Sequence, residues 1–206
     1  MPVNVKNLLN PRTTAVLIME MQRGVVGDLS DIPQLVEAVD KGGVKAHLAA
    51  LLPAARSAGA QVVYCNLLYR RDRKGSIANA PMLGRGAKNP EHLREGSPSA
   101  QNIPEITRKP EDFVSSRYHG MSPFTGTSLD MALRNMGIKT VIATGVSLNV
   151  GIFAMVCEAV GLGYNAVIAR DCVAGLPPDY AEAVLKHSLP VLGAVVPSSE
   201  IMAAWK

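Results

Sequence analysis

The sequence predicts a three-layer α/β/α fold, in which helices cover both faces of a parallel sheet. Short apolar runs rich in β-branched residues alternate with helical patterns along the chain. The apolar runs are continuous rather than alternating, which is typical of strands buried on both faces. A length of 206 residues with 48% hydrophobic residues is enough for one sizeable core, so we expect a single domain over residues 1–206.

Six segments are predicted to form strands, and each is bounded by turn signals. Five of them are strongly apolar, whereas the fragment in third place is weaker. In chain order the predicted strands are residues 14–20, 60–67, 112–116, 140–145, 165–171 and 191–197. The short crossovers between parallel strands are expected to be right-handed.

Four helical patterns lie between these strands. Residues 44–57 precede the second strand. Residues 127–136 open with a capping-box-like Thr-Ser-Leu-Asp and end before a glycine. Residues 149–162 follow the fourth strand, and residues 178–189 have a proline at their start and another just after their end.

One of these helices is apolar almost all round. Residues 150–162 carry Glu158 as their only charge. In a three-layer domain the outer face of such a helix would meet water unless another surface covered it. The pattern therefore predicts a homo-oligomer, a dimer or tetramer, with this helix at the interface.

Composition excludes several classes of protein. No apolar run approaches the ~20 residues that a membrane span needs, no signal-peptide pattern opens the chain, and the three cysteines form no CxxC pair. We therefore expect a cytoplasmic protein without a membrane partner. No glycine-rich nucleotide motif follows the first strand, and the histidines lack metal-ligand spacing, so neither a cofactor nor a metal is expected.

The segment at about residues 69–109 is long, rich in glycine and proline, and basic. Between Arg70 and Arg94 it carries seven basic and two acidic residues. A loop of this length in a compact domain is usually functional. We expect a lid-like insertion that attracts a small anion, with a solvated basic loop as the alternative. Nucleic acid is not expected, because Tyr69 alone offers no stacking platform.

The turn from Gly145 to Asn149 resembles half of a GxSxG nucleophile elbow. Ser147 lies at its centre, and Asp171 and His187 follow in the order of a Ser–Asp–His triad. The alternative is that Ser147 caps the following helix. Both interpretations stay open at this point.

Four segments in order resemble the isochorismatase-like hydrolase superfamily. They are AVLIMEMQ (15–22), SSRYHGMSPFTGTSLD (115–130), TVIATGVSLNVGIF (140–153) and GYNAVIARDCVAG (163–175). The resemblance implies a mainly parallel six-stranded sheet flanked by helices, and usually a homo-oligomer. It also implies a cis peptide bond in the loop before the nucleophile position, which is Val146–Ser147 in this chain.

The amidases of that superfamily use an Asp–Lys–Cys triad, and this chain departs from it at all three positions. The matching residues are Glu20, Tyr118 and Gly151. Cys157 lies six residues further along the helix and is expected to be a small buried residue, and Cys65 and Cys172 are expected to be packing residues. The superfamily's vinyl-ether hydrolases resemble this chain in having glycine at the nucleophile position, and they form no covalent enzyme intermediate.

The resemblance and the strand ends together predict the site, since parallel sheets place ligands at the carboxyl ends of their strands. The predicted catalytic residues are Glu20, Arg117 and Tyr118, and the predicted substrate-binding residues are Gln22, His119, Ser147, Asn149 and Gly151. Glu20 is expected to be partly buried and to hold a proton for transfer unless Arg117 reaches it. The fork of Arg117 is alternatively available for a substrate carboxylate.

Three functions follow from these patterns. The first is hydrolysis of a small, anionic metabolite by non-covalent acid/base chemistry, at a vinyl ether or a related C–O or C–N bond. The second is a catalytically silent member that binds a ligand or serves in an assembly. The third is a serine hydrolase that uses Ser147.

Overall fold

A six-stranded parallel sheet forms the middle layer of the structure, a computed structural model that describes residues 5–84 and 89–206. The strands are β1 (Thr14–Met19), β2 (Gln61–Leu67), β3 (Phe113–Arg117), β4 (Thr140–Val146), β5 (Asn165–Ala174) and β6 (Ala194–Val196). Their order across the sheet is β3-β2-β1-β4-β5-β6, and every neighbouring pair is parallel. The predicted fold class and all six predicted strands are confirmed.

Eight α-helices of the described residues cover the sheet. They are α1 (Val5–Leu8), α2 (Arg23–Val26), α3 (Pro33–Lys41), α4 (Val44–Ala58), α5 (Leu129–Asn135), α6 (Phe153–Gly161), α7 (Pro178–Ala183) and α8 (Ser198–Ala204). The four predicted helices correspond to α4, α5, α6 and α7. The turn before α6 is a π-helix at Leu148–Ile152, and another π-helix at Val184–Ser188 extends α7.

The sheet divides the core into two apolar layers. Helices α3, α4 and α8 pack on one face, whereas α5, α6 and α7 pack on the other. Successive residues of a strand point to opposite faces, so Val16 and Ile18 of β1 belong to the first layer and Leu17 and Met19 to the second. Burial on both faces is the reason that the strands are continuously apolar in sequence.

Helices α1, α2, α3 and α8 were not predicted from the sequence. Helix α3 carries the signals of a helix, because a proline opens it and Leu35 and Val39 form a buried stripe at a spacing of four residues. Helices α1 and α2 span four residues each and α8 spans seven, too short for a periodic pattern to stand out. None of the described helices is long and apolar enough to cross a membrane.

The insertion at about residues 69–109 has little regular structure where it is described. It contains two short 3₁₀ turns, Pro98–Ala100 and Pro104–Ile106. A single parallel bridge joins Tyr69 to Arg94 and closes the loop at its base. Arg85 and Lys88, two of the basic residues counted in the sequence, lie outside the described residues.

The close approach of β4 to β1 makes a glycine necessary at position 145. Gly145 has a φ of +100°, and an added Cβ would overlap the Met19 carbonyl oxygen and approach the Met19 nitrogen to 2.8 Å. Both atoms belong to the backbone of a central strand, so neither moves easily. Gly161 in α6 is the contrasting case, because an added Cβ there meets nothing within 4 Å.

We expect Gly145→Ala to destabilise the fold severely, because it combines a strained φ with a backbone overlap. Gly161→Ala is the matched control and is expected to change stability little or to raise it by about 0.5–1 kcal/mol. Urea unfolding followed by circular dichroism measures both free energies of unfolding. Equal unfolding midpoints for the two variants would contradict the expected difference.

Candidate active site

Residues from the ends of three strands meet around one cavity of about 550 Å³. Glu20 follows β1, Arg117 ends β3, and Ser147, Asn149 and Gly151 follow β4. All five of these sequence-predicted residues line the cavity. Gln22, Tyr118 and His119 do not.

Glu20 and Arg117 form an ion pair at the floor of the cavity. Nη2 of Arg117 contacts Oε1 of Glu20, and Nε of Arg117 donates to the Gly120 carbonyl at 3.1 Å. Arg117 is only 4% exposed, whereas the Glu20 side chain is 18% exposed and lines the cavity. Among residues 5–84 and 89–206, Oε2 of Glu20 has no hydrogen-bond partner, so one carboxylate oxygen is left for a ligand.

This pair changes two expectations from the sequence. Glu20 was expected to hold a proton unless Arg117 reached it, and Arg117 does reach it. The guanidinium was the alternative anchor for a substrate carboxylate, but its donors face Glu20, Gly120 and the Met19 sulfur, which is 3.9 Å from Nη1. Arg117 therefore holds Glu20 rather than an anionic ligand.

The cation beside Glu20 comes from position 117 and not from the position found by counting back in the sequence. Tyr118, the counted position, is exposed, and its carbonyl accepts a hydrogen bond from Ser76. Strand β3 ends at Arg117, so the next residue leaves the sheet edge. One residue along a strand reverses the direction of the side chain, and this reversal turns Tyr118 away from the cavity.

The backbone of Glu20 is fixed in an uncommon conformation. Its φ is +49°, in the left-handed region that few residues other than glycine adopt. Its N–H donates to the Cys65 carbonyl at 3.0 Å, and its own carbonyl accepts from Gln22 N at 2.8 Å. These bonds turn the chain sharply at the end of β1 and direct the carboxylate toward the cavity.

Gly151 lies against Met19, and no nucleophile stands at this position. A Cβ added at Gly151 would approach Cε of Met19 to 2.9 Å and the Val146 carbonyl oxygen to 3.5 Å. Met19 is fully buried. Its thioether thus fills the space into which a side chain at position 151 would point, and only the backbone of residue 151 reaches the cavity wall.

The loop after β4 is tied to the loop after β5 by Asn149. Its Oδ1 accepts from Leu176 N at 3.2 Å, and its Nδ2 donates to the Leu176 carbonyl at 2.8 Å. Ser147 Oγ lies 3.2 Å from the same Oδ1. The peptide bond Val146–Ser147 is cis, as the resemblance implies. Asn149 therefore fixes the shape of this wall, and its polar atoms are already paired.

Gln22 is a buried clamp behind the site. Its Nε2 donates to the carbonyls of Leu67 and Ala100 at 2.9 and 3.0 Å, and its Oε1 accepts from Leu67 N at 2.9 Å. The side chain is inaccessible to solvent. It joins the end of β2 to the insertion, and the structure does not bring it into the cavity.

The insertion contributes walls that sequence reasoning missed. Tyr69, His92 and a group of apolar residues that includes Leu83 line the cavity. Burial raises the pKa of Tyr69 and lowers that of His92, so both are neutral near pH 7. The sequence contained a signal for these walls, namely the apolar residues and the aromatic rings of Tyr69 and His92 within the insertion. The basic charge of the segment drew the interpretation to its surface instead.

The basic residues of the insertion do not carry positive charge into the cavity. Arg70 pairs with Asp72 at 2.9 Å and Arg94 with Glu91 at 2.7 Å. The guanidinium of Arg73 lies over the Tyr69 ring, 4.2 Å from its centroid. No basic side chain of the described part of the insertion lines the cavity, so the expected attraction of an anion has no support in these residues.

The structure does not assemble the Ser–Asp–His alternative. Asp171 accepts from Ser198 N and Oγ, both at 2.8 Å, and it faces His47 at 3.3 Å. Ser147 instead bonds to Asn149. His187 is exposed on the π-helix that follows α7.

The cysteines stand apart from the cavity. Cys65 and Cys172 are buried as expected, and burial raises the pKa of the Cys65 thiol to about 12. The expectation that Cys157 is buried is wrong, because it lies on the outer face of α6 and is exposed. In the described part of the chain, no group of three or more His, Cys, Asp or Glu side chains is placed to hold a metal ion.

Comparison with known proteins points to one family. The isochorismatase domain model matches residues 14–200. The isochorismatase family protein YwoC of Bacillus subtilis is 26% identical over 184 residues, which cover 87% of this chain and 87% of that protein. The ureidoacrylate amidohydrolase RutB of Rhizobium rhizogenes is 28% identical over 189 residues, which cover 84% of this chain and 75% of that protein. A solved cysteine hydrolase from Pseudomonas syringae has a TM-score of 0.79 at 23% identity, over 96% of this chain and 94% of that one, and it supports the fold alone.

We expect the variant Cys65→Ala, Cys157→Ser, Cys172→Ala to retain any hydrolytic activity close to the wild-type rate. No thiol lines the cavity, and the thiolate is the reactive form of cysteine. The measurement is kcat/KM on a substrate found by screening vinyl ethers, amides and imides. Thermal unfolding is measured alongside it, and loss of turnover in a folded variant would show that a thiol takes part.

Proposed function

We propose that this chain, which belongs to the isochorismatase family of hydrolases, hydrolyses a small molecule by acid/base chemistry. The reaction proceeds without a covalent enzyme intermediate. One observation carries the proposal. A carboxylate held by a buried arginine lines the cavity, while the position of the family nucleophile is Gly151, whose side-chain space Met19 fills. The bond cleaved is a vinyl ether or a related C–O or C–N bond.

In this mechanism Glu20 is the catalytic residue. Its carboxylate lines the cavity, and only Oε1 contacts Arg117, so Oε2 is placed to exchange a proton with a water molecule or a substrate there. At an acyl C–O or C–N bond, Glu20 takes a proton from the water, the water oxygen forms a bond to the carbonyl carbon, the bond to the leaving group breaks, and Glu20 returns the proton to the leaving group. At a vinyl ether, Glu20 in its protonated form gives its proton to the double-bond carbon, water adds to the resulting oxocarbenium carbon and returns a proton to Glu20, and the hemiketal breaks down to a carbonyl compound and an alcohol.

Arg117 is a positioning residue in this scheme. It touches Glu20 and the Gly120 carbonyl but is almost completely buried. Nη2 of Arg117 contacts Oε1 of Glu20, while Nε and Nη1 are directed at the Gly120 carbonyl and the Met19 sulfur, which leaves Oε2 of Glu20 for the ligand. The backbone of residues 147–151 opens the helical segment that leads into α6, and the positive end of a helix dipole favours charge that develops on a substrate oxygen.

We expect Glu20→Gln to fold, to bind ligand and to turn over at least about a hundredfold more slowly, because the amide keeps the shape but transfers no proton. The measurement is kcat and KM on the substrate found by the screen. Glu37→Gln on α3 is the matched control, since Glu37 is exposed, pairs with exposed Lys41 and does not line the cavity, and it is expected to leave both constants unchanged.

The same experiment separates the catalytic proposal from the silent alternative. A wild-type protein that binds ligands but hydrolyses none of the screened vinyl ethers, amides and imides supports the silent member. Near-normal turnover in Glu20→Gln removes Glu20 from the mechanism. Irreversible inhibition by a fluorophosphonate would instead favour a serine nucleophile.

We also propose that the chain forms a homo-oligomer through the outer surface of α5 and α6. Met131 of α5 and Val160 of α6 are exposed apolar side chains in the single chain, and Cys157 lies on the same outer layer. Glu158 is the only charge of α6, and Thr125 donates to it. Exposure of such an apolar surface to water is unfavourable, and contact with a second copy of the chain would bury it.

We expect light scattering at micromolar concentration to give the mass of a dimer or tetramer. Val160→Glu and Met131→Glu are expected to shift the mass toward the monomer, because each buries an unpaired charge in the interface. Leu29→Glu is the control, an exposed apolar residue beyond α2. A wild-type monomer would contradict the proposal.

The three cysteines support the proposed cytoplasmic location. Cys65, Cys157 and Cys172 are all free thiols, and disulfides are rare in proteins of reducing compartments.

A further inference from the structure

The cavity beside Glu20 is walled mainly by apolar side chains from distant parts of the chain. They come from α2, α3, the end of β2, the insertion and the loop after β3, and they include Val25, Leu35, Leu67, Leu83, Leu93 and Met121. With a volume of about 550 Å³ the cavity has the size of small-ligand sites in other proteins. Apolar walls of this kind favour a ligand with an apolar body, because its burial removes hydrocarbon surface from water.

Among the residues that the structure describes, the charges on the cavity wall leave no unpaired cation for an anionic ligand. Three charged residues of the described chain line it, namely Glu20, Arg117 and Asp31. Arg117 is paired with Glu20, and Asp31 is an exposed carboxylate at the wall. The charged residues therefore sum to a net negative charge when His92 is neutral, and a carboxylate ligand would lose its hydration without meeting an unpaired cation among the described lining residues.

Tyr69 supplies a hydrogen-bonding group that has no partner in the described part of the chain. The residue is 5% exposed, and its hydroxyl makes no hydrogen bond within residues 5–84 and 89–206. Its backbone is held on both sides, since Tyr69 N donates to the Leu93 carbonyl and Glu95 N donates to the Tyr69 carbonyl, both at 2.8 Å. The Arg73 guanidinium covers one face of the ring.

The tyrosine hydroxyl is fixed as a donor near the ion pair. Burial raises the pKa of Tyr69, and the Glu20 carboxylate raises it further, although the charges of Arg73 and Arg117 oppose this. The hydroxyl keeps its proton at neutral pH. His92, 6.4 Å away between ring centroids, lines the same wall as a neutral ring, and its neighbouring charges are Asp31, Arg73 and Glu20.

We propose that the cavity binds an uncharged molecule with an apolar body, whose one polar group accepts a hydrogen bond from the Tyr69 hydroxyl. This substrate class rests on the proposed function only in that the ligand lies beside Glu20. Binding itself requires no turnover, so the two proposals fail in different experiments.

Benzamide, benzoate and toluene test this proposal, because they share a ring and differ in charge and polarity. Dissociation constants at neutral pH are measured by ligand-observed NMR and calorimetry on the full chain. We expect benzamide to bind at least about tenfold more tightly than benzoate. Asp31→Asn removes a negative charge from the wall, so we expect benzoate to bind more tightly in this variant. The ratio of the benzoate and benzamide dissociation constants then becomes smaller.

Tyr69→Phe tests the hydrogen bond directly. We expect it to weaken benzamide about three- to tenfold, the size of one hydrogen bond, and to leave toluene unchanged. A structural role of the hydroxyl would weaken both ligands alike. Tyr180→Phe is the matched control, since Tyr180 is exposed on α7 and does not line the cavity.

Four outcomes would overturn the proposal. They are benzoate binding as tightly as benzamide, no detectable binding of benzamide, an unchanged ratio in Asp31→Asn, and an equal loss of benzamide and toluene in Tyr69→Phe. If Glu20→Gln turns over normally while benzamide binds as expected, the catalytic proposal fails and the ligand class stands. If Glu20→Gln is inactive and benzoate is preferred, the reverse holds.

Discussion

The ion pair between Glu20 and Arg117 is the interaction on which the site depends. It spans β2, since Glu20 follows β1 and Arg117 ends β3, two strands away in the sheet. A guanidinium that is 4% exposed is costly unless it is paired. Arg117 and the left-handed turn at Glu20 together place a single carboxylate oxygen on the cavity floor, and the chemistry available to the protein follows from that oxygen.

Residues around the pair hold the backbone rather than the ligand. Gln22 bonds only to backbone groups, and Asn149 joins the loops after β4 and β5. Met19 lies between Arg117 and Gly151. Gly151 occupies the position that matches the nucleophile of the family's amidases. Gly151 therefore offers no side chain for covalent attack, and Ser147 bonds to Asn149, which together favour a water molecule as the attacking group.

The insertion has two different surfaces. Arg70 and Arg94 pair with acids of the same segment and Arg73 covers the Tyr69 ring, while Leu83, Leu93 and Tyr69 line the cavity. These three arginines therefore bind groups of the insertion itself and do not line the cavity. Its apolar and aromatic residues set the character of the cavity.

The sequence by itself determined the three layers, the six strands and the positions of Glu20 and Gly151, because burial on both faces leaves continuous apolar runs and strand ends are local features. Tertiary structure alone decided that Arg117 is the cation that reaches Glu20. The two residues are 97 positions apart in sequence, and aligning the segment with the family motif gives Tyr118 instead. It also decided that Gln22 turns into the core and that Tyr69 lines the cavity. Each of these outcomes depends on contacts between groups that are distant in sequence and come together at the edge of the sheet. The local sequence does not determine such contacts.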